Sequence, residues 1–469
     1  MTHTLGSPER PVRIAIVGAG PAGFYTAESL LKRSEVVCSI DFFNRLPTPF
    51  GLVREGVAPD HQSIKSVVRV YDKIASHPNV RYFGNVTVGA DITLSDLRQY
   101  YDQIVYAVGA QSDRRMGIEG EDLIGSYPAT IFVGWYNGHP DYRDLHFDLS
   151  HERVVVVGNG NVAMDVTRIL SANPDYLAKT DIADHALEAL RASKVREVVV
   201  LGRRGPAQAA FTNPELKEFG ELEGVSVVVD PADVELDPQS EAALADDKTA
   251  LRNVELLRSY ATRAVVAGNR RIVMRFLVSP VEIIGAAGRV AAVRIERNEL
   301  YQAADGSMRP RGTGQFETLE AGMVLRSVGY KSVPLADVPF DAQRAIIPNV
   351  EGRVLREAGS SHVIPGEYVV GWAKRGPSGV IGTNKPDAVQ TVDAMVADLP
   401  TLAGIDDSRR DPALIEALVA ERKPDYVTYA HWRKLDTHEV ALGTAQGRPR
   451  VKVTRVEEML AVMHTKEPS

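Results

Sequence analysis

Two apolar segments, each ending in a glycine-rich turn, dominate the pattern of hydrophobic positions along the chain. Each predicts a buried strand, a helix after the glycines and a further strand. The first unit is predicted as a strand at 13–18, a helix at 24–32 and a strand at 36–43. The second is predicted as a strand at 153–158, a helix at 164–171 and a strand at 197–202. The pattern therefore predicts two similar βαβ units.

The segments around these units complete the predicted secondary structure. Further buried strands are predicted at 104–109 and 324–329. An antiparallel excursion is predicted at 286–320, where valine-rich stretches alternate with Gly, Pro and Asp turns. Residues 172–196 are predicted to add a helical excursion, and residues 386–398 a helix.

The order of these elements favours one domain inserted into another. We predict an α/β protein with two Rossmann-like dinucleotide-binding domains, the second inserted into the first. The discontinuous outer domain is predicted to comprise residues 11–109 and 326–469, and the inserted domain residues 110–325.

Composition and charge exclude several other classes of protein. The 469 residues include 54 Lys and Arg against 61 Asp and Glu, and this formal charge of −7 disfavours a nucleic-acid binder. No apolar stretch approaches the roughly 18 residues that a membrane span requires. The single cysteine, Cys38, excludes intrachain disulfides, cysteine-ligated iron–sulfur clusters and CxxC redox chemistry. Residues 1–11 resemble neither a signal nor a transit peptide, so we expect a disordered lead-in to a soluble, cytoplasmic enzyme.

The first glycine turn, GAGPAG at 18–23, has the spacing of a dinucleotide-binding fingerprint. Gly18 permits the tight turn, Gly20 lets the backbone approach a pyrophosphate, and Gly23 lets helix and strand pack closely. The phosphates would lie at the helix N-terminus, where amides and the helix dipole favour negative charge. Asn44 stands where the fingerprint expects an acid, and its neutral amide should bind a ribose less strongly. A glycine turn between packed elements is the alternative interpretation.

The second glycine turn, GNGNVA at 158–163, includes Gly160 and ends in alanine, an accepted variant of the fingerprint. The strand after this unit runs into Arg203 and Arg204, where an NAD site would place a carboxylate. Guanidinium groups bind a 2′-phosphate that a carboxylate would repel, so the pair favours NADP(H) over NAD(H). A solvated pair of loop arginines is the alternative.

Two dinucleotide sites in one chain suggest FAD at the first and NADP(H) at the second. A third glycine-rich block, GWAKRGPSGVIG, occupies residues 371–382. Its backbone would approach the flavin ring, with Trp372 stacked on the ring or walling it off. A surface turn cluster is the alternative, but such loops seldom contain apolar groups as large as Trp372, Val380 and Ile381.

These blocks together resemble the adrenodoxin reductase family of ferredoxin–NADP reductases, which includes bacterial members. The resemblance extends over about residues 12–395. It rests on GAGPAG, LPTPFGLVREGVAPDH at 46–61, FGN at 83–85, YAVGA at 106–110, GNGNVAMD, GRRGP with QAAFT at 208–212, and GWAKRGPSGVIGTN. The segment after residue 395 adds little to it.

The resemblance implies contacts for both dinucleotides. FAD would contact Ala22, Leu52, Val88, Trp372 and the backbone of Gly379, Val380 and Ile381. NADP(H) would contact Asn159, Asn161, Val162, Arg203, Arg204, Glu215 and Gly379. The family usually carries glutamate at the position of Asn44. We expect this difference to change how the ribose is bound and not to change the fold.

The family also implies a reaction, in which NADPH transfers a hydride to flavin N5 and the flavin passes two electrons singly to an iron–sulfur ferredoxin. Return of the flavin to its oxidised state requires loss of one proton, which favours a base nearby. His61 and Glu218 match the positions at which the family places paired ionisable groups close to the nicotinamide and flavin. Histidine exchanges protons readily near neutral pH. A structural turn residue at His61 and a solvated helix residue at Glu218 are the alternatives.

A ferredoxin partner is expected to be acidic and to need positive charge on this chain. Between residues 248 and 275 there are seven basic residues and one acid, Glu255. Such a run would steer an acidic partner and make its association salt-sensitive. A solvated helix face, with Arg252 and Glu255 paired, is the alternative. The docking residues we predict are Lys248, Arg252, Arg258, Arg263, Arg270 and Arg271.

We therefore predict a FAD-dependent ferredoxin–NADP(+) reductase without a metal site of its own. An NADPH-dependent flavin monooxygenase would use the same two folds, but it would need a substrate cavity and stable oxygen intermediates that nothing in the sequence specifies. A non-catalytic sensor of the NADPH state would bind both nucleotides but turn over slowly even with an acceptor. A disulfide reductase is excluded by the single cysteine.

Overall fold

A computed structural model describes residues 4–465 of the chain. Strands and helices alternate over most of this length, as parallel α/β sheets require. The strands are β1 (Val12–Val17), β2 (Cys38–Asn44), β3 (Val80–Gly84), β4 (Gln103–Tyr106), β5 (Ser112–Asp113), β6 (Ser126–Pro128), β7 (Arg153–Val157), β8 (Glu197–Leu201), β9 (Val225–Val229), β10 (Arg270–Arg275), β11 (Val278–Ala286), β12 (Arg289–Gln302), β13 (Met308–Glu320), β14 (Met323–Arg326), β15 (Tyr330–Lys331), β16 (Asn349–Val350), β17 (Arg353–Leu355) and β18 (Val363–Val369). The helices are α1 (Pro21–Leu31), α2 (Leu52–Glu55), α3 (Gln62–Lys65), α4 (Val68–Ala75), α5 (Leu94–Tyr100), α6 (Ala129–Asn137), α7 (Asn161–Ser171), α8 (Pro174–Leu177), α9 (Asp184–Arg191), α10 (Asn213–Phe219), α11 (Pro238–Ala243), α12 (Lys248–Ala261), α13 (Trp372–Arg375), α14 (Asn384–Asp398), α15 (Pro412–Arg422), α16 (Tyr429–Ala445) and α17 (Val456–Met463).

The first sheet has the strand order β16-β17-β18-β4-β1-β2-β3. Strands β18, β4, β1, β2 and β3 run parallel, and β16 and β17 add antiparallel pairs at one edge. Ile14 and Ile16 of β1 face one apolar cluster, and Ala15 and Val17 face another, because successive side chains of a strand point to opposite faces. The strand is therefore buried on both faces, which explains its unbroken apolar run.

The second sheet is wholly parallel, with the order β6-β14-β7-β8-β10-β9. Val154 and Val156 of β7 pack with the helices on one face. Val155 and Val157 pack against the antiparallel sheet β11-β12-β13 on the other. The antiparallel excursion is thus confirmed, although it begins earlier than predicted, at Val278.

The two sheets correspond to the predicted pair of Rossmann-like units, and this fold class is confirmed. The first sheet takes its strands from 12–106 and 349–369, and the second from 126–326. The antiparallel pair β5 and β15 lies where the chain crosses between them. The domain limits that we placed after residues 109 and 325 stay predictions.

Some local predictions need correction. The helices predicted at 24–32 and 164–171 begin at Pro21 and Asn161, because Gly20 and Gly160 act as their N-caps. Proline is well suited to the first helical position, since its φ is already helical and its missing N–H is not needed there. The lead-in was predicted to be disordered, yet Gly6 N donates a hydrogen bond of 2.8 Å to Arg10 O. Residues 1–3 lie outside the described part.

The C-terminal segment, residues 424–465, bridges both domains. Arg54 of the first domain donates two hydrogen bonds, of 2.6 and 2.8 Å, to the buried carboxylate of Glu439. Lys452 Nζ donates to Arg54 O and to Asn137 O of the second domain, each at 3.0 Å. These contacts fix the relative position of the domains around the candidate site.

Candidate functional site

The first glycine turn connects β1 to α1 at the carboxyl end of the first sheet. Gly18 has a φ of +107°, and a Cβ there would lie 2.5 Å from Ala107 O, so only glycine fits. Helix α1 begins after Gly20 without a side-chain cap, and its first turn contains Ala22 and Gly23. The first amides of α1 therefore remain available to an anionic ligand.

The third glycine-rich block folds against this turn. A Cβ on Gly371, whose φ is +69°, would lie 2.7 Å from the Cβ of Ala22. Asp387 Oδ2 anchors the block by accepting a 2.6 Å hydrogen bond from Gly371 N. Trp372 packs against Tyr330, with ring centroids 5.2 Å apart. Residues far apart in the chain thus meet at one end of the first sheet.

Apolar residues around this turn are only partly buried. Val380 exposes 56% of its surface and Leu52 exposes 36%. Ile381 and Val88 are half-buried, and Gly379 is exposed. Planar ring systems bind against apolar walls of this kind, with a few polar groups for orientation. Together with the uncapped helix, these residues fit FAD.

Asn44, at the end of β2, turns its amide toward the protein. Its Oδ1 accepts a hydrogen bond of 3.2 Å from Ala19 N, and its Nδ2 donates to Leu46 O and Thr48 O at 2.9 and 3.0 Å. The side chain thus ties the first glycine turn to the loop that follows β2. A lone pair of Oδ1 is left to accept a ribose hydroxyl. Ribose binding by Asn44 therefore stays a prediction.

The second glycine turn connects β7 to α7 at the corresponding end of the second sheet. Gly160 caps α7 without a side-chain hydrogen bond, and a Cβ on it would meet nothing within 4 Å. Val162, in the first turn of α7, is half-buried against the apolar core. The backbone of this turn thus faces open space, as the approach of a pyrophosphate requires.

The second glycine turn is hydrogen-bonded to the loop after β8. Asn161 Oδ1 accepts a bond of 2.9 Å from Thr212 N, and Asn159 O accepts one of 3.2 Å from Ala210 N. These bonds hold the glycine turn against the loop that carries the two arginines.

Arg203 and Arg204 are fixed by their backbone. Arg203 O accepts a hydrogen bond from Asn298 Nδ2 at 2.9 Å, and Arg204 O accepts one from Leu277 N at 3.1 Å. Neither guanidinium forms a salt bridge within residues 4–465. Burial and the charge of Arg203 lower the pKa of Arg204. Two adjacent cations without a counter-ion repel each other, and a dianionic phosphate relieves that repulsion.

A charge cluster joins the two domains beside these turns. It comprises Asp60 and His61 before α3, Asp165 and Arg168 on α7, and Glu215 and Glu218 on α10. His61 Nε2 lies 2.9 Å from Glu218 Oε2 and 3.8 Å from Glu215 Oε2, and its Nδ1 lies 3.8 Å from Asp165 Oδ1. The two predicted catalytic residues are therefore in contact, and Glu215 lies beside them. Their catalytic role stays a prediction.

Arg168 is the cation at the centre of the charge cluster, with 2% of its side chain exposed. Its Nε lies 2.7 Å from Asp60 Oδ2, and its Nη2 lies 2.7 Å from Asp165 Oδ1. Its Nη1 lies 3.2 Å from Glu215 Oε2 and 3.1 Å from Glu218 Oε2. One guanidinium thus contacts four carboxyl groups from both domains.

These contacts shift the pKa values of the charge cluster. Burial alone would lower the pKa of His61, but the hydrogen bond with Glu218 and the nearby carboxylates raise it above its usual value. Burial, together with the charge of Asp165, raises the pKa of Glu215 to about 7. Burial also raises the pKa of Asp165. The charge cluster can therefore exchange protons near neutral pH.

Sequence reasoning missed three members of the charge cluster. Asp60 and Asp165 stand within the motifs that carry the family resemblance, so a signal for them existed. Arg168 follows Asp165 by one helical turn and has no motif of its own. Its position among four carboxyl groups depends on α10 and on the turn before α3, which only the folded chain brings to α7.

The predicted docking residues divide between two ends of the second sheet. Lys248 and Arg252 are exposed near the start of α12, where Asn213 Nδ2 at the start of α10 donates to Thr249 O at 2.9 Å. Helix α10 also carries the two glutamates of the charge cluster. This pair of basic residues is therefore on the same side of the sheet as the candidate site.

The other four predicted docking residues lie at the other end of the sheet or already contact another side chain. Arg270 and Arg271 begin β10, at the amino-terminal end of the parallel strands and so at the opposite end from the glycine turn. Arg271 pairs with Glu197 at 2.6 Å, and Arg258 pairs with Glu241 at 3.0 Å. Arg263 lies over the ring of Tyr260. The six residues therefore do not form one continuous patch, and carboxylates compensate part of their charge.

Two further observations concern the single cysteine and the apolarity of the helices. Cys38 is buried, and burial raises its pKa to about 11, so the thiol is unreactive at neutral pH. Among residues 4–465, no helix has the length and apolarity that crossing a bilayer demands.

The chain is similar to known proteins over nearly its whole length. Residues 12–249 match the family described as Pyridine nucleotide-disulphide oxidoreductase. The NADPH-ferredoxin reductase FprA of Mycobacterium leprae (strain TN) is 49% identical over 465 residues, covering 97% of this chain and 99% of that protein. The mitochondrial NADPH:adrenodoxin oxidoreductase of Arabidopsis thaliana is 40% identical over 462 residues, covering 96% and 95%.

A solved structure extends the similarity to the fold. The structure of Mycobacterium tuberculosis FprA in complex with NADPH matches with a TM-score of 0.91 at 48% identity, covering 97% of this chain and 100% of that one. The predicted family resemblance is confirmed by these matches. The chain thus belongs to the pyridine nucleotide-disulphide oxidoreductase family and, within it, to the ferredoxin–NADP reductases of the adrenodoxin reductase type.

Proposed function

We propose that this protein is a FAD-dependent ferredoxin–NADP(+) reductase that oxidises NADPH and reduces a ferredoxin one electron at a time. The observation that carries the proposal has two parts: two helices begin at glycine turns without side-chain caps, and one charge cluster joins the two domains that contain them. When bound, FAD supplies both a hydride acceptor and a one-electron donor. The two turns bind the phosphates, and Arg203 and Arg204 bind the 2′-phosphate.

An anaerobic absorbance titration tests this function. We expect NADPH to bleach the flavin at much lower concentration than NADH, and added ferredoxin to accelerate cytochrome c reduction strongly. Bleaching without a response to ferredoxin would favour the flavin monooxygenase, and nucleotide binding with slow turnover would favour the sensor. Purified protein without FAD would contradict the proposal.

Within this function, we assign the proton that leaves the reduced cofactor to His61. The imidazole is 11% exposed, whereas the side chain of its partner Glu218 is 35% exposed and so connects it to solvent. In neutral His61, Nε2 donates its hydrogen to the Glu218 carboxylate, so Nδ1 accepts the proton and the neighbouring carboxylates stabilise the resulting imidazolium. His61 must then be neutral before each transfer.

Replacement of Glu218 by Gln is expected to move the acid limb of the pH profile of kcat. Glu218 raises the pKa of His61, so its removal lowers that pKa and leaves His61 neutral at lower pH. The acid limb should therefore shift to lower pH in ferredoxin-dependent turnover. Glu221→Gln, on an exposed glutamate that pairs with Lys217, is the matched control. A uniform loss of kcat without a shift would contradict proton transfer through His61.

We also propose that an acidic iron–sulfur ferredoxin docks near Lys248 and Arg252. Of the six predicted docking residues, these two are exposed on the side of the candidate site and form no salt bridge within residues 4–465. Unpaired surface charge steers a partner more effectively than charge already compensated by a neighbour. Arg258, Arg263, Arg270 and Arg271 then contribute only to the long-range potential.

Reversal of both charges, Lys248→Glu with Arg252→Glu, is expected to slow ferredoxin reduction by roughly tenfold at low salt. The salt dependence should flatten as well, because steering is lost. Turnover with a small artificial acceptor should remain unchanged. The matched control is Lys194→Glu with Arg196→Glu. Both residues are exposed and precede β8, at the amino-terminal end of the parallel strands. An equal loss in both double variants would contradict local docking.

A cytoplasmic location belongs to the same proposal. A single cysteine fits a reducing compartment, where disulfides do not stabilise proteins. Cell fractionation with an NADPH-dependent ferredoxin reductase assay tests it.

A further inference from the structure

The charge cluster contains more acidic groups than basic groups. It contains four carboxyl groups, of Asp60, Asp165, Glu215 and Glu218, against one guanidinium and one imidazole. Arg168 lies 2.7 Å from both Asp60 and Asp165 and within 3.2 Å of the two glutamates, so the four carboxyl groups share its one positive charge. Buried charges in proteins are normally paired, because an unpaired buried charge destabilises the folded state.

Three of the four carboxyl groups are partly exposed. The side chains of Asp165, Glu215 and Glu218 are 14%, 10% and 35% exposed, whereas that of Asp60 is 3% exposed. Asp165 lies on the helix that begins at the second glycine turn, and the two glutamates lie on α10 of the same domain. The accessible carboxyl groups of the charge cluster thus belong to the domain that carries the second glycine turn.

The two forms of the nicotinamide differ in charge. The reduced ring of NADPH is neutral, whereas the oxidised ring of NADP+ carries one positive charge. In hydride transfer the C4–H bond breaks, an N5–H bond forms on the flavin, and two electrons move with the hydrogen. The positive charge therefore appears on the ring during the reaction, and a fixed negative potential nearby stabilises it.

We propose that Asp165, Glu215 and Glu218 make the nicotinamide site selective for the oxidised, cationic ring and thereby favour hydride transfer away from NADPH. This inference rests on the proposed function, which places the nicotinamide beside His61 and Glu218. The three carboxylates act as electrostatic groups and need no direct hydrogen bond to the ring.

Proton release on NADP+ binding provides a second signature of this selectivity. Glu215 faces Asp165, His61, Arg168 and Glu218. Its pKa is raised to about 7 by burial and by the charges of Asp165 and Glu218, although His61 and Arg168 act in the opposite direction. A cationic ring nearby lowers that pKa, whereas a neutral ring does not. Binding of NADP+ therefore releases protons near pH 7, and its affinity increases as the pH rises through 7.

The test compares NADP+ with 1,4,5,6-tetrahydro-NADP, whose ring is uncharged and does not donate hydride. Both ligands are titrated into the oxidised holoenzyme by calorimetry between pH 6 and pH 8, in two buffers of different ionisation enthalpy. We expect the affinity for NADP+ to rise severalfold with pH and protons to be released. The analogue should show neither effect.

Glu215→Gln removes one negative charge and keeps hydrogen-bonding capacity. We expect the ratio of the two dissociation constants, NADP+ over analogue, to increase about tenfold, as loss of one charge at roughly 10 Å in a protein-like dielectric predicts. Glu221→Gln, exposed on the loop after α10, is the matched control and should leave the ratio unchanged.

The outcomes separate this inference from the proposed function. Equal weakening of both ligands by Glu215→Gln would overturn the inference and assign Glu215 a positioning role. Equal pH dependence and equal proton release for both ligands in the wild-type protein would overturn it as well, and this measurement stands even if the variant does not fold. Failure of the wild-type holoenzyme to bind either ligand would overturn the proposed function itself.

Discussion

Replacement of Arg203 and Arg204 together by alanine is expected to weaken NADPH binding by about 10²–10⁴-fold. Each hydrogen bond to a charged group contributes about 1.5–3 kcal/mol, and both arginines are assigned to the 2′-phosphate. NADH lacks that phosphate, so its binding should change little. Flavin-perturbation titrations with both nucleotides measure the effect.

The matched control is Arg191→Ala with Arg196→Ala, which removes one exposed arginine at the end of α9 and another just before β8. This variant should bind NADPH as the wild type does. Equal losses for NADPH and NADH in the Arg203 and Arg204 variant would contradict the 2′-phosphate assignment. The expected selectivity follows from the absence of any carboxylate paired with the two guanidinium groups within residues 4–465.

Replacement of Glu439 by leucine is expected to destabilise the protein by about 3–5 kcal/mol, because it leaves the buried Arg54 guanidinium without its main partner. Glu439 also accepts hydrogen bonds from Arg450 Nη1 at 3.1 Å and from Val453 N at 2.9 Å. Its loss should therefore release the segment that bridges the two domains.

Urea unfolding followed by tryptophan fluorescence and by FAD release measures this effect. Trp432 is a local reporter, since the Arg54 guanidinium lies 5.2 Å from its ring centroid. Glu221→Leu, which removes one partner of an exposed ion pair, should shift the unfolding midpoint little. A Glu439→Leu variant as stable as the wild type would show that the bridge does not stabilise the domains.

The charge cluster shows the limit of sequence reasoning at the candidate site. His61 and Glu218 were identified through a family resemblance, and the structure brings them within 2.9 Å. The resemblance did not identify Arg168 or show that Glu215 shares its charge with three other carboxyl groups. Those features depend on which side chains meet across the domain interface. They also determine the pKa shifts, because burial and neighbouring charges act through space rather than along the chain.

The sequence by itself determined the two strand–turn–helix units, their glycine turns and the arginine pair. These features are local, since strand periodicity, a glycine at positive φ and a helix N-terminus all depend on residues a few positions apart. Only the tertiary structure decided the rest. It divided one basic run between two ends of a sheet, and it joined Arg54 to Glu439 across 385 positions of the chain. Such pairings form when folding removes charged groups from water, and no local pattern records which partner each will meet.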